Sequence, residues 1–394
     1  MKKTNKKATP TFYFDCDRKG NMKYGIKNDR GRRITPPLYD KVLPFSEDLA
    51  AVLTNSRWGF VNEKGMMVIP PRFKFATSFS QELALVQDTE KWGYINKNGE
   101  FVIQPNYDFA LPFKEGRAAV SVKTPEGVKW GYIDLAGKLV IPPKFESVRS
   151  FSNGLAVATI LKDEEEIDGY IDKHGNWAIE PNFFFASDFR EGVAPICVDT
   201  PDHEHRWGVI NTSGRCVLPA FLDYIAPYSE GMAMYYYEGK FGFLDTTGWC
   251  RIVQQFTTAQ NFRNGLAVVS VKERVNNNWA TRTGFIDKNE KFVIQPEFLD
   301  AKSFSEGLAP VSVEKNGEQL WGYINVKGKM KIKPKYSCAC SFVFGTANVK
   351  LPGDKNWSHI DKRGRPIKPS TCFYVRAFFR KLFEKLKITP TDHK

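Results

Sequence analysis

Residues that could bind a metal ion are concentrated in one short segment of the chain, 202–206. Asp202, His203, Glu204 and His205 follow one another there, and imidazole and carboxylate groups are ligands that suit zinc and other borderline metals. No further group of ligands lies nearby in the sequence, and alternation of this kind is common in solvated loops. We therefore favour a polar loop over a metal site and expect no cofactor.

The cysteines do not form a pattern that indicates chemistry. Cys338 and Cys340 are separated by one residue, whereas zinc and redox pairs usually have two residues between them. We interpret the pair as buried thiols on one strand face. The chain has 7 cysteines without regular spacing, which favours a reducing compartment over a disulfide framework. We expect the protein to be cytoplasmic.

Carboxylates recur in two ways. The run Asp163 to Glu166 could attract a cation or a basic partner, although a charge run in an insertion is usually a solvated hairpin tip. Asp134 belongs to a set of ten aligned positions, but asparagine replaces aspartate at several of them. General acid–base catalysis would not survive that exchange, so we interpret the aligned positions as turn formers.

Sequence motifs typical of enzymes are missing. The chain has no phosphate-binding loop, no Gly-x-Ser-x-Gly and no His-Glu-x-x-His, and it contains only 5 histidines. We therefore expect a protein without enzyme activity. The alternative is a hydrolase or metal enzyme whose site is assembled from loops around Asp163, His203 and Lys272.

The feature that organises the chain is a repeat of 34 to 42 residues. Its anchor is a glycine that tryptophan precedes in most copies. Three residues after each anchor stands Asp or Asn, and three residues further stands glycine in every copy but one, which has Glu290. Asp/Asn-x-x-Gly between apolar runs predicts a turn that closes a β-hairpin. The ten anchors are Gly25, Gly59, Gly93, Gly131, Gly169, Gly208, Gly242, Gly284, Gly322 and the degenerate Ser358.

The residues on both sides of this turn predict strands. Before it, Trp92 and Tyr94 alternate with Gly93 and Ile95, which is the period of a strand. After it comes a β-branched run that ends at proline, and because proline cannot donate to a central ladder we expect pairing to stop there. A connector ending in Phe-x-Glu-Gly then leads into a third strand. Such a meander is too small to be stable alone, so the units must stack, with Trp and Phe rings between them and a close approach at each anchor glycine.

The segment from Trp92 to Pro105 resembles the bacterial WG repeats, also called KWG repeats, and the resemblance covers about residues 20–369. It implies a repeat scaffold of binding function, with no common activity and no catalytic residues. The units that depart from the pattern are expected to be looser or reshaped. The departures are Asp168, Phe241 and Thr283 at the tryptophan position, Glu290 at the turn and Ser358 at the anchor.

These observations predict an all-β chain of about ten three-stranded antiparallel units. The uneven repeat length favours an open, curved or superhelical array, and a closed propeller-like ring is the alternative. We expect three regions: a basic N-terminal arm over 1–19, the array over 20–369, and a basic amphipathic helix and tail over 371–394.

The net charge of +13 is unevenly placed. Residues 1–33 and 350–394 each carry +8, which leaves −3 for the residues between them. A nucleic-acid-binding body should present a basic stripe, so we expect the array not to bind nucleic acid. The basic start of the chain lacks the apolar run of a signal peptide, and no segment is apolar enough to span a membrane.

The tail has the pattern of an amphipathic helix between residues 373 and 388. Three interpretations stay open: a cap on the end of the array, a helix on an anionic membrane surface, or a helix in a partner's groove. The residues we expect to make such contacts are Phe378, Phe379, Leu382, Phe383, Leu386, Arg376, Arg380 and Lys381.

Length differences between the repeats predict the binding surface. Almost all of them fall between the third strand of one unit and the next tryptophan, where hairpin loops of stacked units must project from one edge. Insertions confined to one edge usually mark a binding face, although such loops also simply tolerate insertion. We therefore expect a protein partner at residues Glu126, Asp163, Glu164, Glu165, Asp202, His203, His205, Lys272, Arg274 and Glu318.

Overall fold

The computed structural model describes residues 9–16, 21–200, 204–275 and 278–367, and all regular secondary structure in these ranges is β-strand. The strands form ten small antiparallel sheets in which strands consecutive in sequence are neighbours. The prediction of an all-β array is confirmed. The predicted C-terminal helix lies outside the described residues, and no described segment is a helix that could cross a membrane.

Each sheet corresponds to one repeat unit, numbered 1 to 10 along the chain. A complete unit has a short strand followed by a first, second and third long strand, and the second carries the anchor glycine. The strands are, in unit 1, β1 (Thr11–Cys16) and β2 (Met22–Lys27); in unit 2, β3 (Lys41–Val42), β4 (Leu49–Thr54), β5 (Arg57–Asn62) and β6 (Met67–Phe73); in unit 3, β7 (Phe75–Ala76), β8 (Ala84–Gln87), β9 (Trp92–Ile95) and β10 (Phe101–Tyr107); in unit 4, β11 (Ala118–Thr124), β12 (Gly127–Ile133) and β13 (Leu139–Phe145); in unit 5, β14 (Ser147–Val148), β15 (Ala156–Lys162), β16 (Glu165–Ile171) and β17 (Trp177–Phe183); in unit 6, β18 (Phe185–Ala186), β19 (Val193–Asp199), β20 (His205–Asn211) and β21 (Cys216–Leu222); in unit 7, β22 (Tyr224–Ile225), β23 (Met232–Tyr237), β24 (Lys240–Asp245) and β25 (Cys250–Phe256); in unit 8, β26 (Thr258–Ala259), β27 (Ala267–Val275), β28 (Asn278–Ile286) and β29 (Phe292–Phe298); in unit 9, β30 (Asp300–Ala301), β31 (Leu308–Lys315), β32 (Glu318–Asn325) and β33 (Met330–Tyr336); and in unit 10, β34 (Cys338–Ala339), β35 (Thr346–Lys350) and β36 (Ser358–Asp361).

Most units therefore have four strands and not the expected three. The addition is the short strand, which pairs with the first long strand through only two residues, as in Ser147↔Thr159 and Val148↔Ala158 of unit 5. Its shortness explains why the sequence does not reveal it, because two residues carry no periodicity.

The Asp/Asn turns have the geometry that the sequence predicts. In unit 4 the Oδ1 atom of Asp134 accepts the backbone N–H groups of Ala136 and Lys138 at 3.0 and 2.9 Å. Gly137 follows with φ of 82°. In unit 8 Glu290 occupies the glycine position and adopts a φ of 65°, so the turn persists without its glycine. These bonds close the hairpin between the second and third long strands.

The anchor glycine is required by a bulge in the neighbouring third strand. In unit 4 the ladder pairs Trp130 with Phe145 but Tyr132 with Ile141, so the third strand has extra residues at this point. A Cβ atom on Gly131 would lie 2.4 Å from the Ile141 carbonyl oxygen. The expectation that pairing stops at the prolines that follow the turn is wrong. β13 passes through its prolines to Phe145 because residues in a bulge leave the ladder and need no N–H donor.

The core lies in the seams between units and combines aromatic rings with buried Ala, Val, Ile and Leu side chains. Tyr94, the residue after the anchor of unit 3, is fully buried, and its ring centroid lies 4.8 Å from that of Phe113 in unit 4. Its hydroxyl donates to the Leu111 carbonyl at 2.7 Å, and burial raises the pKa of Tyr94. The predicted aromatic seam is confirmed, with Tyr or Phe after the glycine supplying the ring more often than tryptophan.

The edge with the short strands is where successive units come closest. The Phe-x-Glu-Gly segment forms a two-residue hairpin, and in unit 5 the Gly154 N–H donates to Glu115 Oε2 of unit 4 at 3.0 Å. The next step repeats this bond, from the Gly192 N–H to Asn153 Oδ1 at 3.0 Å. The third strands contact the next unit through side chains, as Ile103 does at the Gly137 turn and Arg72 does at the Gly99 carbonyl. The short-strand edge is therefore the inner edge of the array and the third strand is the outer edge.

The first and last units touch. The ring of Phe344 in unit 10 lies 5.4 Å from Phe12 and 6.1 Å from Tyr24 in unit 1, and Phe14 lies 5.6 Å from His359. The preference for an open array is thus wrong, and the units form a closed, propeller-like ring. Unit 1 also begins earlier than expected, because β1 falls within the stretch 1–19 that we assigned to a separate arm.

Candidate interaction surfaces

The hairpins of the first and second long strands, here called arms, all project from the same end of the ring. The tip of the unit 5 arm is tight, since both of its residues, Asp163 and Glu164, have positive φ, at 53° and 69°. The arms differ in the number of residue pairs beyond the anchor glycine. There are two pairs in units 2 and 7, one in unit 3, three in unit 6, four in units 4, 5 and 9, and six in unit 8.

Length variation therefore lies mainly in paired strands, where we expected loops. At about 3.3 Å per residue, the four additional pairs of unit 8 raise its tip about 13 Å above that of unit 2. Ladder hydrogen bonds along β27 and β28 hold these residues, from Lys272↔Thr281 to Arg274↔Trp279. The Asp163-Glu164 tip lacks the Asn-Gly signal of such turns, whereas Asn316-Gly317 of unit 9 carries it and indicated a two-residue tip that the loop interpretation missed.

The residues that we expected to contact a partner are exposed and lie at the arms, each set on its own unit. Glu126 belongs to unit 4, the three acidic residues starting at Asp163 to unit 5, Lys272 and Arg274 to unit 8, and Glu318 to unit 9. No contact in the described residues joins them into one cluster. Asp202, His203 and the eight predicted residues of the tail, from Arg376 to Leu386, lie outside the described residues.

His205, Cys338 and Cys340 are the metal and thiol candidates that the structure describes. His205 stacks on Phe184, with centroids 3.8 Å apart, and its Nδ1 lies 3.9 Å from Asp199. Within the ranges that the structure describes, no three His, Cys, Asp or Glu side chains are placed to hold a metal ion. The expectation of two buried thiols is wrong, since Cys338 is exposed and Cys340 is half-buried at the inner edge.

A cleft of about 440 Å³ lies at the foot of the unit 6 arm, along the seams with units 5 and 7. Trp207 forms its wall, with its ring between those of Phe185 and Tyr224 at centroid distances of 5.5 and 5.4 Å. Arg149 covers the Phe185 ring at 4.7 Å. Such a wall can hold a planar or apolar side chain.

One charged group in this cleft has no hydrogen-bond partner. The Oδ1 atom of Asp188 is buried, and its nearest cation is the Arg149 guanidinium at 3.9 Å. Arg190 lines the same cleft and is exposed. Sequence reasoning missed this site. The available signal was that Asp188 is the only charged residue at its place in the repeat, two residues after the short strand.

The departures from the tryptophan pattern are reshaped but remain tied to their neighbours. Asp168 is buried and accepts hydrogen bonds from Thr159 Oγ1 at 2.7 Å and from the Ala186 N–H of unit 6 at 2.8 Å. In unit 8, Thr283 pairs with the Ser270 hydroxyl at 2.8 Å. These polar links replace the packing that an indole ring provides elsewhere.

Charge is distributed unequally around the ring. Units 4 to 7, residues 110–256, contain 14 Lys/Arg and 20 Asp/Glu, a net charge of −6. Acidic residues stand at the arm tips of this arc, including Glu126, Glu164 and Glu238. Units 9 and 10 are basic on their outer edge.

Ten stacked units with aromatic seams, turn-forming Asp/Asn residues and anchor glycines define a β-repeat protein that closes into a ring. The chain belongs to the family of proteins with the WG containing repeat. The family model recognises eight copies, fewer than the ten expected, and does not recognise those that start at Phe241 and Trp357. The matches cover residues 24–58, 58–92, 92–123, 130–160, 169–199, 207–241, 284–316 and 321–350.

No curated protein matches this chain. Among solved structures, Hsv2 of Kluyveromyces marxianus is 11% identical with a TM-score of 0.34, over 70% of this chain and 97% of that chain. Hsv2 of Kluyveromyces lactis is 10% identical with a TM-score of 0.33, over 71% and 100%. The tricorn protease is 12% identical with a TM-score of 0.26, over 90% of this chain, which spans only 44% of the protease chain.

Proposed function

We propose that this protein is a non-enzymatic scaffold that binds other proteins through the arms on one face of its ring. The observation that carries this proposal is that the arms differ in height while the ring beneath them is regular. A ladder of hydrogen bonds between paired strands holds the arms of units 2 to 9. Binding to such arms costs little ordering entropy, whereas a flexible loop must be ordered when it binds.

The acidic arc over units 4 to 7 indicates the kind of partner. A protein with an exposed basic segment complements the tips around Asp163 and Glu164, and charge complementarity favours encounter and correct orientation. The aromatic cleft at Trp207 lies at the foot of these arms and is suited to hold one side chain of the partner as an anchor. We place the interaction in the cytoplasm, because five cysteines are free thiols, namely Cys197, Cys216, Cys250, Cys338 and Cys340.

Shortening two arms tests the proposal. Deleting Leu161, Lys162, Glu165 and Glu166 removes two complete pairs from unit 5 and leaves its tip residues in place. Deleting residues 272–275 and 278–281 does the same for four pairs of unit 8. Both arms then have the two pairs found in unit 2. Partners are captured by cross-linking in a cell lysate and identified, and each is then titrated as a purified protein against both forms.

We expect the short-arm variant to unfold with the same midpoint as the natural chain and to bind the partner at least tenfold more weakly. Equal affinity of both forms would contradict the proposal. A control variant, Lys331→Gln with Lys333→Gln and Lys335→Gln, alters the outer edge of unit 9 and leaves the arms unchanged. Its partner binding should equal that of the natural chain.

A further inference from the structure

The last part of the chain carries the whole net charge. Residues 1–326 contain 40 Lys/Arg and 40 Asp/Glu, so they are neutral. Residues 327–394 contain 17 Lys/Arg and 4 Asp/Glu, which gives +13. Of this segment, residues 327–367 belong to the described ring and hold ten Lys/Arg against two Asp/Glu. The described ring therefore has a basic side in units 9 and 10. Counting charge separately before and after residue 350 does not show it, because the five lysines of unit 9 then fall into the near-neutral part.

The centre of this basic side is a row of lysines on the outer edge of unit 9. β33 is an edge strand, and its buried residues Ile332 and Tyr336 alternate with exposed lysines. The three lysine side chains of the strand are exposed and alternate in sequence with Ile332, Pro334 and Tyr336. The row consists of Lys327 and Lys329 in the preceding turn and Lys331, Lys333 and Lys335 in the strand.

No other unit has this row. At the positions that correspond to Lys331, Lys333 and Lys335, unit 3 has Val, Gln and Asn and unit 8 has Val, Gln and Glu. The repeat does not need lysine here, because the same bulged strand forms without it. Among the described residues, no ion pair links any of the five lysines to a carboxylate.

Apolar side chains accompany the basic residues of unit 10. Trp357 is 47% exposed and Leu351 is 41% exposed. The Lys350 ammonium lies 5.5 Å from the Trp357 ring centroid, and Lys355 is exposed nearby in the sequence. Tryptophan and lysine side chains of this kind are suited to the boundary between lipid headgroups and water.

We propose that the outer edge of unit 9, together with the basic part of unit 10, docks on a bilayer that contains anionic lipids. Two observations favour a bilayer over a nucleic acid. The lysines of unit 9 lie along the open edge strand of a sheet and not in a groove between strands, and among the basic residues of unit 10 Lys350 lies against the exposed Trp357 ring. The 27 residues after 367 continue the same composition, with lysine, arginine, phenylalanine and leucine. The folded edge thus adds a docking surface to the one expected in the tail.

The experiment compares three variants of the full chain in flotation with phosphatidylcholine vesicles that contain or lack phosphatidylserine. The edge variant is Lys331→Gln, Lys333→Gln and Lys335→Gln. The matched control is Lys64→Gln, Lys138→Gln and Lys291→Gln, which removes three exposed lysines from other units and changes the net charge equally. The third variant carries Phe378→Asp and Leu382→Asp in the tail.

We expect the natural chain to float only with vesicles that contain phosphatidylserine. Each lysine near an anionic surface contributes a factor of about five in binding, so the edge variant should bind about a hundredfold more weakly. The control should stay within about threefold of the natural chain. The edge variant and its control should keep the thermal unfolding midpoint of the natural chain, since the substituted lysines are exposed.

Several outcomes would overturn the proposal. They are an equal loss in the control, binding that does not need phosphatidylserine, and a loss confined to the tail variant. A single-stranded oligonucleotide serves as a competing probe in the same buffer. If it binds in an edge-dependent way while vesicles do not, the surface is a nucleic-acid site. Partner binding through the arms is unaffected by the edge variant, so the two proposals fail independently.

Discussion

Asp and Asn alternate freely at the turn position because the turn uses only an oxygen that accepts two backbone N–H groups. Asn211 accepts from Ser213 and Arg215, both at 3.0 Å. Asp245 accepts the N–H of Thr247 at 2.8 Å in the same way and also pairs with Arg251 Nε at 2.6 Å. The charge is thus an addition to the turn and not its cause.

The carboxylate charge of Asp245 should make the contribution of this residue to stability depend on pH. Burial raises the pKa of Asp245, but hydrogen bonds from Thr247, Arg251 and Trp249 together lower it below 3.8. A lowered pKa in the folded state stabilises above the unfolded pKa, and this contribution is lost as the pH falls through the folded value. We expect Asp245→Asn to be less stable than the natural chain at pH 7 and to approach it below about pH 4.

Urea midpoints of both proteins, measured from pH 7 down to pH 3, give this difference. Asp245→Asn retains an oxygen for the turn, as Asn211 does, so folding should persist. A gap between the two midpoints that stays constant over this range would show that the charge of Asp245 has no part in it.

Replacing two glycines by alanine distinguishes the cost of backbone strain from the cost of disturbed packing. Gly137 and Gly154 have φ of 82° and 84°. A Cβ atom on Gly137 would lie 2.9 Å from Ile103 Cγ1, whereas a Cβ atom on Gly154 would have no neighbour within 4 Å. We expect Gly154→Ala to lose roughly 1 kcal/mol from strain alone. Gly137→Ala should lose roughly 2–3 kcal/mol, because the seam with unit 3 must also move. Denaturant unfolding measures both, and equal losses would mean that the seam yields freely.

The Phe-x-Glu-Gly hairpins connect neighbouring units through side-chain contacts. Their two residues have positive φ, for example 51° at Glu115 and 82° at Gly116. This places the carboxylate of Glu115 on the hairpin of unit 5, where it accepts the Gly154 N–H and lies 3.2 Å from Lys173. The motif is therefore a link between units as well as a turn within one.

Removing this link should weaken one seam. Glu115→Ala deletes the acceptor of the Gly154 N–H, and we expect a loss of about 1 kcal/mol in unfolding free energy. Glu115→Gln keeps an acceptor, as natural Gln81 does when it accepts the Gly116 N–H at 2.8 Å, and should lose less than half as much. Denaturant unfolding gives both values. If Glu115→Gln were as destabilising as Glu115→Ala, the Lys173 ion pair would be the important contact.

At the scale of the whole molecule, local features could be predicted from the sequence and geometry between units could not. The Asp134 turn and its nine equivalents follow from local chemistry that repeats. The bulge at Pro142 and Pro143 escaped prediction because it depends on the register of two strands. The arms were mistaken for loops because the Asp163-Glu164 tip lacks glycine and because the Asn316-Gly317 signal of unit 9 was not used. Closure depends on the small angle between neighbouring units, and no residue type that recurs in the repeat indicates this angle.

Closure of the ring depends on a residue of unit 10 that differs from the equivalent residue in the other units. At the tip where other hairpins have Glu, Gln or Asn, unit 10 has Phe344, with φ of 54°. Its ring contacts Phe12 and Tyr24. In unit 1 the described residues begin at residue 9 and contain no Phe-x-Glu-Gly hairpin with an N–H to receive a carboxylate. An aromatic ring is the side chain that can join this seam to unit 1.

We expect Phe344→Glu to open the ring between units 10 and 1 while the other seams stay intact. This change removes the ring contacts of Phe344 with Phe12 and Tyr24 and leaves a charged side chain against those rings. Amide hydrogen exchange should become at least tenfold faster in β1 and β2 and remain unchanged in units 4 to 7. Val343→Glu is the control, since the neighbouring Val343 is 57% exposed and should tolerate the charge. Unchanged exchange in β1 and β2 would show that Phe12, Phe14 and His359 close the ring without Phe344.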